Sequence, residues 1–188
     1  MVSRLSEQES EMRKKALIVV DYQHDFVDGA LGFSQAKTLE QPIAAKIAEY
    51  HNSGNDVFFT LDTHDDRYLQ TQQGSNLPIV HCMKDTSGWS LFGAVGAAKR
   101  DCDHFFLKSA YGSAKLFSYL QTKEYQSIEL VGILSNICVI SNAVLAQTAL
   151  PEAAIIIDKN CIASNSETLH SASLAVMEGL HMKIIPSQ

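Results

Sequence analysis

No apolar run in the sequence approaches the roughly 20 residues that a membrane helix needs, which excludes a spanning segment. There is no Lys/Arg stripe, and 15 basic against 21 acidic residues give a net charge of −6 and a pI near 5.6. That balance argues against a nucleic-acid partner. Cysteine is sparse: Cys82, Cys102, Cys138 and Cys161 form neither a CxxC pair nor a zinc-knuckle spacing. The polar, charged start from Met1 to Lys15 does not read as a signal peptide. Reduced thiols in a cytoplasm are therefore expected. Internal repeats, low-complexity tracts and Pro/Gly linkers are also missing, so nothing divides the 188 residues. The expectation is one domain over residues 15–188, after a polar lead-in over residues 1–14 with a short helix from Ser6. What is present, 46% hydrophobic and 19% charged residues, is the mixture of a soluble globular protein.

Short apolar runs alternate with amphipathic segments. Ala16–Val20, Val57–Leu61, His104–Leu107, Ile128–Ile133, Ala153–Ile157 and His181–Ile185 read as strands. Helices are expected over Ile43–Ala48, stopped by Ser53-Gly54-Asn55, and around Leu116–Leu120. Another should run from Asn136 to about Ala149, burying Ile137, Ile140, Val144 and Leu145. A last one carries Leu169, Ala172, Val176 and Leu180, with Ser164 and Glu167 as a capping box. Continuous apolar strands between helices imply a three-layer α/β/α fold around a mostly parallel, Rossmann-like sheet of about six strands. The stretch Asp62–Asp103 shows little periodicity, and long irregular excursions are often functional.

The first candidate residue is Cys138. It follows the strand ending in Val131-Gly132-Ile133 and falls near the start of a helix that Ser135 or Asn136 can cap. Free N–H groups and the positive dipole end stabilise a thiolate there. Asp21, Asp62, Lys108 and Cys138 all lie at or just beyond the C-terminal ends of strands. A parallel sheet brings those ends to one edge, where such folds form ligand crevices.

These residues resemble the isochorismatase-like cysteine hydrolases, a superfamily that includes nicotinamidases. The resemblance rests on Asp21-Tyr22-Gln23-His24-Asp25-Phe26 with Gly29-Ala30-Leu31, on Asp62-Thr63-His64 with His81-Cys82, on Lys108, and on Gly132 to Cys138. It spans about Lys15 to Ile185 with the pieces in family order. It implies a Cys138-Asp21-Lys108 triad, in which Cys138 attacks an amide carbon as thiolate and Asp21 moves the proton. Lys108 stabilises both charges. It also implies an oxyanion hole from the N–H groups of Leu134 and Cys138, and a cis peptide at Ile133–Leu134. Replacing Asp21 by Asn is expected to raise the thiol pKa.

The resemblance further implies a divalent cation on Asp62, His64 and His81. Carboxylate with imidazole suits zinc, with manganese or iron as alternatives. In nicotinamidases such a metal holds the pyridine nitrogen. Phe26 matches a position that packs on substrate, and Trp89 or Tyr111 is expected to supply a further ring. The chain departs from the nicotinamidase pattern in three places. Asp65-Asp66-Arg67-Tyr68 follows His64, Leu77-Pro78-Ile79-Val80 precedes His81, and Ser135-Asn136 replaces Thr-Asp.

The expected function is hydrolysis of a small-molecule amide, foremost nicotinamide to nicotinate and ammonia, in NAD salvage. A related amide or ureido hydrolase, an isochorismatase, or a silent binding protein on the same scaffold are the alternatives. Neither nucleic acid nor membrane is an expected partner, and the family resemblance implies a homo-oligomer. Cys82, Cys102 and Cys161 read as small core residues. His24, His51, His104, His170 and His181 show no partner spacing. Asp65-Asp66 reads as solvated.

Overall fold

The computed structural model of the protein describes residues 14–186. The short helix expected from Ser6 lies outside them. Six strands form one all-parallel sheet: β1 Lys15–Val20, β2 Asp56–Asp62, β3 His104–Lys108, β4 Ser127–Ile133, β5 Ala154–Ala163 and β6 Lys183–Ile185. Their spatial order is β3-β2-β1-β4-β5-β6. The chain builds outward from β1 to β3, then returns to the other side of β1 for β4. This places the topological switch between β1 and β4, where the two connections diverge and leave a crevice beyond the strand ends.

The strands form because their residues are apolar on both faces. Ile18 and Val20 of β1 point into one core with Phe58, Leu130 and Ile157; Leu17 and Val19 point into the other with Phe59 and Val131. Burying one such side chain stabilises by roughly 1.5–3 kcal/mol. The first core is covered by α6 Ala114–Leu120, α7 Ile140–Ala149 and α8 Glu167–Gly179, through Leu116, Leu120, Ala143, Ala146 and Met177. The second is covered by α3 Glu40–Asn52 and α5 Gly93–Ala98, through Ile43, Ile47 and Val95. Short helices α1 His24–Val27, α2 Ser34–Thr38 and α4 Gln72–Asn76 complete the described residues. None of the helices among these residues is long and apolar enough to cross a membrane.

One buried polar knot ties α3 to the sheet. Glu129 in β4 accepts from Lys46 Nζ at 2.7 Å and from Tyr50 Oη at 2.7 Å, and Lys46 also reaches Asp158 of β5 at 2.9 Å. Each charge in it is paired, as burial requires.

Several sequence expectations are corrected. Strand β5 does not stop at Ile157 but continues through Asp158, Lys159 and Asn160 to Ala163. The cap of α8 is Ser166, whose hydroxyl accepts from the Leu169 N–H; Ser164 stands before it. The apolar stripe of α8 faces solvent, with Leu169 50%, Val176 52% and Leu180 39% exposed, while Ser173 and Met177 point inward. Val144 of α7 is likewise 39% exposed. Asp62–Asp103 is not structureless: it holds a 3₁₀ turn at Tyr68–Gln70 as well as α4 and α5. Cys102 is exposed, not core.

Candidate active site

At the end of β1 the backbone of Asp21 turns with φ 48°, the left-handed region that non-glycine residues rarely enter. Its N–H still bonds to the Thr60 carbonyl, and the Thr60 hydroxyl donates to Asp21 Oδ1 at 2.7 Å. Oδ1 is thereby occupied. Oδ2 lies 2.6 Å from Lys108 Nζ in an ion-pair contact but accepts no well-aligned hydrogen bond, and it is fully buried. It is the oxygen left to receive a proton.

Lys108, the last residue of β3, reaches back under the strand ends. Its Nζ stands 3.6 Å from Cys138 Sγ and 3.3 Å from Asp62 Oδ1 besides its contact with Asp21. One buried ammonium thus touches the cysteine and both carboxylates. Burial works against its charge, yet Asp21, Cys138 and Asp62 outweigh that and hold its pKa well above 10.5. Asp21 shows the opposite balance: burial raises its carboxyl above the usual 3.8 despite the pull of Lys108. Burial, and next the Asp21 carboxylate, push the Cys138 thiol well above 9.0, with Lys108 opposing. The surroundings of Cys138 thus favour its protonated thiol, against the pull of Lys108.

Cys138 does not start an ordinary helix. After β4 the peptide Ile133–Leu134 is cis, and Ser135–Val139 form a π-helical turn that leads into α7. Neither Ser135 nor Asn136 caps the turn. Ser135 shares a 2.9 Å hydrogen bond with His170 Nδ1, and Asn136 Oδ1 accepts from Ser164 Oγ at 2.6 Å. The Asn142 amide donates to the Cys138 carbonyl at 2.8 Å and to the Tyr111 carbonyl at 3.2 Å, coupling the turn to the loop after β3.

Asp62, His64 and His81 come together, their ligand atoms all within 4.8 Å of one another. His64 Nε2 is 2.9 Å and His81 Nε2 3.4 Å from Asp62 Oδ2. His81 Nδ1 lies 2.7 Å from the Ile79 carbonyl; donation there fixes the tautomer with Nε2 free to ligate. Burial opposes ionisation of Asp62, but the two imidazoles and Lys108 hold its carboxyl well below the usual range. One carboxylate and two imidazoles converging on one point fit a divalent cation. Two residues of the first motif brace this cluster. The Gln23 side chain accepts from the Asp62 N–H at 2.8 Å and donates to the Asp62 carbonyl at 2.9 Å. Asp25 Oδ2 accepts from the Cys82 N–H at 2.6 Å, next to His81.

Over these groups lies a cavity of about 160 Å³, lined by Phe26, Leu31, Asp62, Gln73, Leu77, His81, Tyr111, Leu134, Ile137, Cys138 and Asn165. It is close to the size of an apolar cavity that holds one benzene ring. A more open polar depression of about 390 Å³ touches His64 but not Cys138. The cavity brings Phe26 and Tyr111 together with Cys138. Trp89 is elsewhere: its indole N–H donates to Thr63 Oγ1 at 2.8 Å, so it braces the loop and does not line the cavity. Leu31, Gln73, Leu77, Ile137 and Asn165 are wall residues that no motif in the sequence marks. Four histidines whose spacing suggested no partner also have one: His24 with Asp28, His51 with Asp103, His104 with Tyr119 and His170 with Ser135.

Among known proteins, residues 15–188 match the isochorismatase domain. The chain is 36% identical over 169 residues to the uncharacterized isochorismatase family protein YaaI of Bacillus subtilis strain 168, across 88% of this chain and 90% of that protein. The structure of the pyrazinamidase/nicotinamidase from Streptococcus mutans UA159 superposes with a TM-score of 0.81 at 28% identity, over 92% of this chain and all (100%) of that one. The pyrazinamidase of Pyrococcus horikoshii in complex with zinc shares the fold, with a TM-score of 0.80 at 20% identity over 93% of this chain and 99% of its own.

Proposed function

The chain belongs to the isochorismatase family of hydrolases, and on that footing we propose that it deamidates a small aromatic carboxamide through Cys138, Asp21 and Lys108, with nicotinamide as the leading substrate. The observation that carries this is Lys108 Nζ within 2.6–3.6 Å of Asp21 Oδ2, Asp62 Oδ1 and Cys138 Sγ, with Cys138 and Asp62 in the wall of a cavity of single-ring size. The nicotinamidase named in the S. mutans structure supports the same reading.

The amide carbon sits over Cys138 Sγ with the ring between Phe26 and Tyr111. The thiol proton passes to Asp21 Oδ2 as the sulfur bonds to carbon, and the carbonyl electron pair moves onto oxygen. The N–H groups of Leu134 and Cys138 receive that oxyanion; such donors are worth about 3–4 kcal/mol of barrier. Asp21 then gives its proton to the amide nitrogen, the C–N bond breaks, and ammonia leaves. Water attacks the thioester, Asp21 accepts its proton, and the acid departs as the proton returns to sulfur. Lys108 keeps the thiolate and carboxylate compensated throughout.

Asp62, His64 and His81 hold a divalent cation in this reading, zinc being consistent with the donors and with the zinc complex of the P. horikoshii protein. When bound, that ion supplies electrostatic fixation of a ring nitrogen. On this reading the protein serves NAD salvage in the cytoplasm.

The test is ammonia release from nicotinamide and pyrazinamide by wild type and by Cys138→Ala. Wild-type release that the variant loses by at least about 10³-fold is expected. Retained activity in a folded Cys138→Ala protein removes the nucleophile assignment, and release from neither amide removes the substrate.

A further inference from the structure

The turn that carries Cys138 is closed by backbone bonds alone, the Ile137 and Val139 N–H groups both donating to the Leu134 carbonyl. It is a single π-helical turn, Ser135–Val139, and no side chain caps it. Yet the two N–H groups that the proposed reaction needs, at Leu134 and Cys138, lie just before this turn and within it. An oxyanion hole acts only when its donors are fixed before the charge develops, so something outside the turn has to fix them.

Besides the Asn142 amide on the Cys138 carbonyl, two hydrogen bonds reach the turn from the segment after β5. Ser164 Oγ donates to Asn136 and also accepts from the Ser166 N–H at the start of α8. His170, in the first turns of α8, reaches Ser135 through Nδ1. Ser135 is fully buried, so its hydroxyl requires a partner, and among the described residues His170 is the partner it has. The backbone that carries the imidazole is held in the helix. Its backbone N–H donates to the Ser166 carbonyl at 2.8 Å, and its carbonyl accepts from Ser173 Oγ at 2.7 Å. A hydroxyl both donates and accepts, so the Ser135 bond persists whichever role Nδ1 takes.

We propose that His170 is a positioning residue for the oxyanion hole: by holding Ser135 it fixes the Leu134–Cys138 segment on α8. This rests on the amidase reading above. His170 does not line the cavity and makes no hydrogen bond to the triad, so it acts on the site only through the turn it holds.

The experiment compares wild type, His170→Ala, His170→Asn, Ser135→Ala and the His170→Ala/Ser135→Ala double variant. Each is followed by ammonia release from nicotinamide and by iodoacetamide alkylation of Cys138. Alkylation is a displacement at carbon that develops no oxyanion, so it reports the sulfur without the hole. His170→Ala is expected to lower kcat roughly tenfold, as misplacement of reacting groups does. KM should stay within about twofold, the mark of an interaction made only in the transition state. The alkylation rate should not change. His170→Asn, whose amide sits near the Nδ1 position, should recover most of kcat. Ser135→Ala should reproduce the loss, and the double variant should add little to it. An unchanged kcat in His170→Ala overturns the proposal. So does a parallel fall of kcat and alkylation that His170→Asn does not relieve, which would mean general loosening of the turn. A wild type that releases no ammonia from any amide overturns the amidase reading instead, and His170 loses this role with it.

Discussion

Asp21 and Cys138 are both pushed toward their neutral forms by burial, but they share one proton, so burial largely cancels from its transfer. What remains is how each anion faces Lys108, at 2.6 Å from the carboxylate oxygen and 3.6 Å from the sulfur. Moving the proton from Sγ to Oδ2 trades one ion pair for another beside the same ammonium and leaves the site's net charge unchanged. This reverses one expectation drawn from sequence. A base can be read from the motif, but the field of its charge at the thiol can be read only from their proximity. That charge raises the Cys138 pKa, so Asp21→Asn lowers it while leaving Lys108 in place. Asp21→Asn should therefore lose turnover by about 10²–10⁴-fold, the usual share of a general base. Its Cys138 should nonetheless alkylate with a midpoint at lower pH than wild type. A pH profile of iodoacetamide alkylation measures this directly, and a midpoint at or above that of wild type contradicts it.

At the scale of elements, β4 decides where the nucleophile turn begins. Its pairing with β5 shifts between Leu130 and Gly132, and Gly132 adopts φ 115°. A Cβ there would overlap the Val20 carbonyl oxygen of β1, the strand that Asp21 follows. No rotamer relieves that overlap, because both partners are backbone. Gly132→Ala should cost on the order of 3 kcal/mol in urea unfolding, from backbone strain and overpacking together. A loss under about 1 kcal/mol would mean that β1 and β4 can part without consequence. The legibility of the elements follows the same physics. Strands β1, β2 and β4 were readable because burial on both faces leaves unbroken apolar runs. The second half of β5 was not, since Asp158, Lys159 and Asn160 break the run. Asp158 is tolerated because Lys46 reaches across from α3 to neutralise it. For α8 the period of Leu169, Ala172, Val176 and Leu180 identified a helix but not its buried face. Periodicity says that a helix has two sides; packing says which one turns inward.

Across the molecule, the site draws on residues 21, 62, 64, 81, 108 and 138, and a single topological fact gathers most of them. Asp21, Asp62, Lys108 and Cys138 end or follow β1, β2, β3 and β4, so a parallel sheet read from sequence already places them on one edge. The wall was not legible, because Gln73, Leu77 and Asn165 come from short segments without a period. His81 belongs to that irregular part, and its placement depends on bracing: Asp25 holds the neighbouring Cys82 N–H, the His64 N–H donates to the Cys82 carbonyl, and the Lys84 N–H donates to the His64 carbonyl. A ligand that binds such an assembled cluster and not the unfolded chain stabilises the whole fold by mass action. Zinc at about 100 times its dissociation constant adds about 2.7 kcal/mol, which for a chain of this size raises Tm by roughly 5–10 °C. Calorimetry of the chelator-treated protein with and without zinc should show that rise, and elemental analysis should find one equivalent bound. His81→Ala should lose both, whereas Cys102→Ser, at an exposed cysteine away from the cluster, should keep them. If wild type shows neither the rise nor the metal, the two imidazoles are hydrogen-bond partners of Asp62 alone. Asp62 then serves to hold Lys108, and substrate orientation falls to the apolar walls.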